Sequence, residues 1–321
     1  MAELYTYAVA RIRAKELSLL SSQDIEQLVS AKDAHEVLQL LADKGFDGGG
    51  AEGIDEILEG ESNKTWELMG ELLDDMSVLD VFLFEKDFHN LKAAVKAVYS
   101  GMPADGIFMP GGSVAADGIY DAVRDREFEK LPENMRTAAA EAVQMLNKTG
   151  DGQLCDIIID KAALEAIRAA GRASGNDMID KYSELTAALA DIKIAYRGAR
   201  LKKSADFLRA AIAECDTLSK DKLVSAAIAG TDELFSYLEL TDYAHAVTEI
   251  KESDSDFEKW CDNLIMDFIR KQKSNPFTIA PLAAYVLARE NEIKAVRIIL
   301  TAKENGLSES FVRERLRDMY V

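Results

Sequence analysis

Residues 289–303 read Arg-Glu-Asn-Glu-Ile-Lys-Ala-Val-Arg-Ile-Ile-Leu-Thr-Ala-Lys. Ile293, Val296, Ile299 and Leu300 recur at helical spacing, so one stripe faces a core while Lys294 and Arg297 flank it one turn apart. The phrase occurs twice more upstream. Asn90-Leu91-Lys92-Ala93-Ala94-Val95-Lys96 and Asp191-Ile192-Lys193-Ile194-Ala195-Tyr196-Arg197 each place a polar residue before an aliphatic one, then a lysine, then a second cation on the next turn. With Leu91, Ile192 and Ile293 as anchors the spacings are 101 and 101 residues. A period of that length predicts three copies of one unit, each the size of a small domain.

An apolar residue beside a lysine is common on any amphipathic helix, and that is the plainer explanation. Against it stands a cost. Like charges at i, i+4, as in Lys92 with Lys96 and Lys193 with Arg197, weaken an isolated helix by a few tenths of a kcal/mol. Such pairs call for partners, either carboxylates on neighbouring helices or an acidic ligand.

With 321 residues and only five prolines, the chain is long enough for two or three cores, and its helix formers predict an all-α class. The formal net charge of -19 argues against general nucleic-acid binding, because a polyanion is repelled before any local basic patch acts. No run approaches the roughly eighteen apolar residues of a membrane span, and the opening Met-Ala-Glu-Leu-Tyr-Thr-Tyr lacks the features of a signal peptide. A cytoplasmic chain is expected. Cys155, Cys215 and Cys261, odd in number and set among aliphatic residues, read as buried free thiols of a reducing compartment.

A first helix begins close to Tyr7-Ala8-Val9-Ala10-Arg11-Ile12-Arg13-Ala14-Lys15, a degenerate copy of the cationic phrase. Leu20-Ser21-Ser22-Gln23-Asp24 then restarts a helix, with Ser21 or Ser22 as N-cap and Asp24 near the positive end of its dipole. Related phrases return at Leu218-Ser219-Lys220-Asp221 and Leu307-Ser308-Glu309-Ser310. Residues 45–53, Gly-Phe-Asp-Gly-Gly-Gly-Ala-Glu-Gly, read as a connector; no Gly-Lys-Ser/Thr follows, and Asp47 and Glu52 would repel a phosphate. From Trp66 through Leu72, Met76, Leu79 and Leu83 the apolar spacing predicts one long helical face.

The glycines and prolines of residues 101–112 mark a first domain boundary, and the period alone sets a second. The expected domains are 1–104, 105–206 and 207–321. Helices are expected on either side of Thr149-Gly150-Asp151-Gly152 and from Asp177 to about Arg200, and Ser255 with Glu258 reads as a capping box for a helix reaching about Lys273.

Catalytic signatures are scarce. His35, His89 and His245 lack metal-ligand spacing, no nucleophile elbow is present, and carboxylates are too abundant for any one pair to stand out. No catalytic, cofactor or metal residue is expected. The residues singled out are cations, Arg11, Arg13, Lys15, Lys92, Lys96, Lys193, Arg197, Lys294 and Arg297, taken as partner-facing or as internal braces.

The ends of the chain resemble a known family. Residues 7–15, Glu85-Lys86-Asp87-Phe88-His89-Asn90-Leu91-Lys92 with Lys96, and above all the run from Pro281 through Lys303 and Gly306 to Tyr320-Val321 are similar to the central-stalk component of rotary V-type and A-type ATPases, known as the C subunit in prokaryotes and the d subunit in eukaryotes. Residues 105–180 match weakly. The resemblance implies an all-helical funnel of three similar domains without an active site. It also implies two partners, the shaft subunits of the rotor and the membrane ring of proteolipid subunits, between which torque passes as ATP chemistry is coupled to proton or sodium movement. The chain is then peripheral to the membrane through that complex. The rival expectations are a helical scaffold or adaptor unrelated to a motor, and an enzyme drawing a cationic substrate to the acidic surface.

Overall fold

The computed structural model describes residues 5–46, 53–104 and 106–321, and among these every regular element is a helix. In chain order the α-helices are α1 Thr6–Glu16, α2 Ser22–Ser30, α3 Ala34–Asp43, α4 Ile54–Leu72, α5 Phe84–Ser100, α6 Ala116–Asp125, α7 Glu133–Thr149 and α8 Gly152–Ala173. They continue as α9 Asp177–Arg200, α10 Ala205–Ala211, α11 Lys220–Ala229, α12 Thr231–Leu238, α13 Ala244–Glu252, α14 Asp254–Arg270, α15 Ala280–Glu304 and α16 Glu309–Arg315. The all-α expectation holds.

The helix starts follow their capping chemistry. Ser21 accepts the Asp24 N–H while the Asp24 carboxylate accepts the Ser21 N–H, a complete capping box. Ser219 and Ser308 cap α11 and α16 in the same way from their side chains, so the recurring serine phrase marks a helix start each time. Asp151 opens α8 and Asn176 opens α9, as the punctuation on either side of them predicts.

Two starts and stops differ from expectation. The cap of α14 is Ser253, not Ser255; its hydroxyl accepts the Asp256 N–H and donates to the Asp256 carboxylate. The apolar face from Trp66 to Leu83 is not one helix. α4 ends at Leu72, Leu73 turns to an extended backbone, and Ser77–Phe82 form a short 3-10 segment that buries Leu79 and Val81. Asp74 and Asp75 follow the carboxyl end of α4, where negative charge is unfavourable. The greater part of the glycine-rich connector, residues 47–52, lies outside the described residues.

The chain divides into two compact units, residues 1–76 with 248–321, and residues 77–247. In the first, α15 is the axis. It packs against α2, α3 and α4 from the beginning of the chain and against α1, α14 and α16. Val296, Ile299 and Leu300 meet Leu28, Val29, Val37 and Leu41 in one core. Burying several such side chains supplies about 1.5–3 kcal/mol each.

In the second unit, α5 packs against α6, α7 and α8. Phe88, Leu91 and Val95 meet Ile119, Val123, Ala139, Leu146 and Ile159 there. The hairpin of α8 and α9 is drawn close at Gly171, where a β-carbon would overlap the Ser183 hydroxyl. α9 is buried on most sides and also carries α10, α11 and α12. Leu91, Ile192 and Ile293, the three anchors of the period, are all buried, on α5, α9 and α15.

Candidate functional site

Four cations of the repeated phrase, on α5 and α15, lie beside carboxylates of neighbouring helices. On α5, Lys92 pairs with Asp160 and Lys96 with Asp156 of α8, both at 2.6 Å. Two like charges one turn apart thus face two carboxylates one turn apart on an antiparallel helix, which removes the repulsion the sequence alone would carry. On α15, Lys294 reaches Asp262 of α14 at 3.1 Å and Arg297 pairs with Asp55 of α4. Lys193 and Arg197 sit at the corresponding turns of α9, with Lys193 half-buried and Arg197 exposed.

On α1 the three cations differ. Arg11 stacks on the Tyr7 ring and lies 3.6 Å from Glu71. Arg13 donates to Glu16 at 2.7 Å and to the Lys273 carbonyl at 2.5 Å, while Lys15 is exposed. The exposed Arg11–Glu71 pair contributes about 0–1 kcal/mol, which leaves Arg11 free to exchange partners, whereas Arg13 and Glu16 are half-buried.

The residue just before each anchor carries the tighter geometry. Asn90, Asp191 and Glu292 are each only 1% exposed. Each accepts one backbone N–H from a loop. Asn90 accepts the Met109 N–H at 2.7 Å and returns a bond to the Met109 carbonyl at 2.9 Å. Asp191 accepts the Ala213 N–H at 2.9 Å, and Glu292 accepts the Leu20 N–H. A buried polar side chain on a long helix therefore clamps a connecting segment at all three positions; at Asp191 and Glu292 the amide is itself buried and would otherwise cost about 1–3 kcal/mol. None of the three is among the residues singled out from the sequence. Their signal was present, since all three open the same phrase, but polarity at the edge of an apolar stripe reads as exposure.

Charge is handled differently in each. Burial pushes the Asp191 carboxyl up to about 7; the Ala213 N–H and Lys220 oppose that, while Glu184 and Glu165 reinforce it. Burial also raises Glu292, against the pull of Arg289 and the Leu20 N–H. Arg289 binds Glu292 and, at 2.7 Å, Glu61, with its guanidinium over the Phe46 ring, so one buried cation serves two buried carboxylates. A second such network surrounds Arg168 on α8, which meets Asp180, Glu184 and Asp216 at 2.8–2.9 Å.

Nothing in this arrangement resembles a reaction centre. Burial pushes the Cys155 and Cys215 thiols up to about 11, which keeps both protonated and poorly nucleophilic. Cys155 and Cys261 are buried and Cys215 is half-buried, all three as free thiols. Among the described residues no group of three or more His, Cys, Asp or Glu side chains is placed to hold a metal ion, and no helix is long and apolar enough to cross a membrane.

Compared with known proteins, residues 8–315 match the model of the ATP synthase (C/AC39) subunit family. The chain belongs to this family. It is 23% identical over 317 residues to the C subunit of the V-type sodium ATPase of Enterococcus hirae, covering 96% of this chain and 97% of that one. It is 23% identical to the C subunit of the A-type ATP synthase of Methanocaldococcus jannaschii, with 97% of this chain and 86% of the relative covered. Its counterpart in Methanothermobacter thermautotrophicus is 25% identical over 343 residues, with 97% of this chain and 87% of the relative covered. As a member of an ATP synthase subunit family, the chain is an accessory component of a V/A-type ATPase and not its catalytic part.

Proposed function

We propose that the chain is the central-stalk subunit of a rotary V/A-type ATPase, joining the soluble rotor shaft to the membrane ring of proteolipid subunits so that torque links ATP hydrolysis or synthesis to ion translocation. The observation that carries this reading is the family match over residues 8–315, supported by nearly full-length correspondence with the C subunits of V-type and A-type complexes. A peripheral location, on the membrane through the complex, goes with it. Three similar helical domains, 1–104, 105–206 and 207–321, forming a funnel-like body, are part of the proposal. Recurrence of the loop clamp at Asn90, Asp191 and Glu292 supports that repetition.

Within this reading the cations on α5, α9 and α15 line or brace the funnel, and Arg11, Arg13 and Lys15 on α1 take part in docking. The exposed ion pairs with Asp160, Asp156, Asp262 and Asp55 favour a bracing contribution that a partner's carboxylates could displace. The test is recovery of tagged chain from native membranes with identification of its companions. Shaft and ring subunits recovered together with the chain support the coupling role. Recovery of neither, from membranes holding an intact rotary ATPase, refutes it in favour of an adaptor.

A further inference from the structure

Residues 317–321, Arg-Asp-Met-Tyr-Val, follow α16 without regular structure. They run along the flank of α14 in the direction of that helix. Asp262 of α14 takes the Arg317 guanidinium at 2.7 Å, and Asn263 accepts the Asp318 N–H at 2.9 Å. From α15, Asn291 donates to the Asp318 carbonyl at 3.1 Å. Arg270, at the end of α14, donates to the Met319 carbonyl at 3.0 Å, and Lys273 donates to the Tyr320 carbonyl at 2.9 Å with its ammonium over the Tyr320 ring. The Tyr320 hydroxyl reaches α1, donating to Glu16 at 3.0 Å. Burial, with Glu16 beside it, holds the Tyr320 phenol above its ordinary range, so the hydroxyl stays a donor.

Two features separate this arrangement from a tail merely laid on a core. The first is how the backbone is held. Each of these main-chain contacts is made by a side chain of another element, and among the described residues 317–321 make no backbone–backbone hydrogen bond. A site for an extended peptide works in that way, with fixed donors and acceptors reading the main chain and pockets taking the side chains. The second is where the burial lies. Met319 and Tyr320 are 4% and 3% exposed, while Asp318 and Val321 on either side of them are exposed. The walls are placed by contacts outside the segment, since α15 is fixed by its core with α2 and α3 and α14 packs directly on α15 and α16.

We propose that this flank of α14 and α15 is a peptide-binding site for an extended segment in which a charged pair precedes methionine and tyrosine. It is filled here by residues 317–321, which leave it while the rest of the unit stays folded. Two anchors and a few hydrogen bonds are set against the ordering of five residues that no helix or strand holds, and these opposing terms are of similar size. The charges of Arg317 and Asp318 cancel, so such a segment is not driven off by the net charge of -19. Its departure frees Arg270, Lys273 and Glu16 together. The state of the site is therefore felt by α1, whose Arg13 binds both Glu16 and the Lys273 carbonyl.

The test uses full-length chains and a labelled Arg-Asp-Met-Tyr-Val peptide blocked at both ends. A chain carrying Met319→Ala with Tyr320→Ala, which empties the anchor pockets, is expected to bind the peptide at least about tenfold more tightly than the parent, whose site is filled. Alanine in place of the peptide's tyrosine lowers that affinity at least about tenfold. Opening is read separately on Met319→Cys. Its thiol is expected to react with iodoacetamide at least about tenfold faster than that of Cys261. Cys261 lies on α14 and is the more exposed position in the closed structure, at 8% against 4% for Met319. Equal binding by double variant and parent, or binding by neither, overturns the proposal. So does reaction of the two thiols at one rate, since the segment would then open only with α14. A double variant lacking the parent's helical spectrum overturns it as well, because the segment would then be part of the fold. No step needs an assembled ATPase, so the outcome is separate from that of the central-stalk reading.

Discussion

Replacing Asp191 by asparagine isolates one buried charge. The carboxyl lies on α9, is 1% exposed, and accepts the Ala213 N–H. Its titration moves from an ordinary 3.8 to about 7, chiefly because burial penalises the anion. The folded chain therefore holds this proton more tightly than the unfolded chain does. Its stabilising contribution is complete below about pH 4, and is lost as pH rises through about 7. Applied between about pH 5 and about pH 8.5, linkage gives a loss of about 2.5 kcal/mol from this group.

Asparagine keeps the acceptor and cannot ionise, and the same job is done by Asn90 toward Met109 at the corresponding turn of α5. Asp191→Asn is thus expected to gain on the parent chain by about that amount over this pH interval, whatever constant offset the amide introduces. Chemical denaturation followed by helical circular dichroism measures the difference at each pH. Trp66 and Trp260 both lie in the other unit, so the helical signal and not tryptophan fluorescence is the direct reporter of the surroundings of Asp191. A parent-minus-variant difference that stays flat from about pH 5 to about pH 8.5 would refute the assignment of a buried, high-pKa carboxyl to this position.

Arg289→Met leaves buried Glu292 without its cation and Glu61 with only Lys64, and a loss of about 3–5 kcal/mol is expected in the tryptophan-reported transition. Gly171→Ala drives a methyl into the Ser183 hydroxyl, which accepts from Arg168 and donates to the Asp180 carbonyl; about 1–3 kcal/mol of destabilisation should appear in denaturant midpoints. Charge reversal at Lys92, Lys193 and Lys294 together is expected to leave the helical spectrum intact while reducing co-purification with shaft and ring subunits. Normal assembly of that variant would count against a lining or bracing role for these cations.

Much of the fold could be read locally. The α7–α8 junction at Gly150-Asp151, the cap of α9 at Asn176 and the serines opening α2, α11 and α16 each combine a turn or cap residue with an apolar period, so short-range chemistry decides them. The start of α14 was less legible because Ser253-x-x-Asp256 and Ser255-x-x-Glu258 offer the same box two residues apart. Only the folded chain selects the first. The break after Leu72 escaped because a 3-10 segment keeps apolar residues nearly in phase with a helix over so few residues; Asp74 and Asp75 at the carboxyl end of α4 were the available warning. The clamps at Asn90, Asp191 and Glu292 were hidden for a different reason. Their partners, Met109, Ala213 and Leu20, are remote in sequence, and a pattern of polarity carries no information about which distant amide needs an acceptor.

The position of α15 has a consequence for synthesis. Its inner face completes a core whose other walls, α2, α3 and α4, leave the ribosome first, whereas residues 77–247 contain their own core. Emerging from the ribosome, the middle of the chain can close while the leading helices still lack the surface that buries Leu28, Val37 and Leu41. The segment made first is the one that must wait, and its exposed leucines are the natural target for a chaperone until translation reaches Leu300.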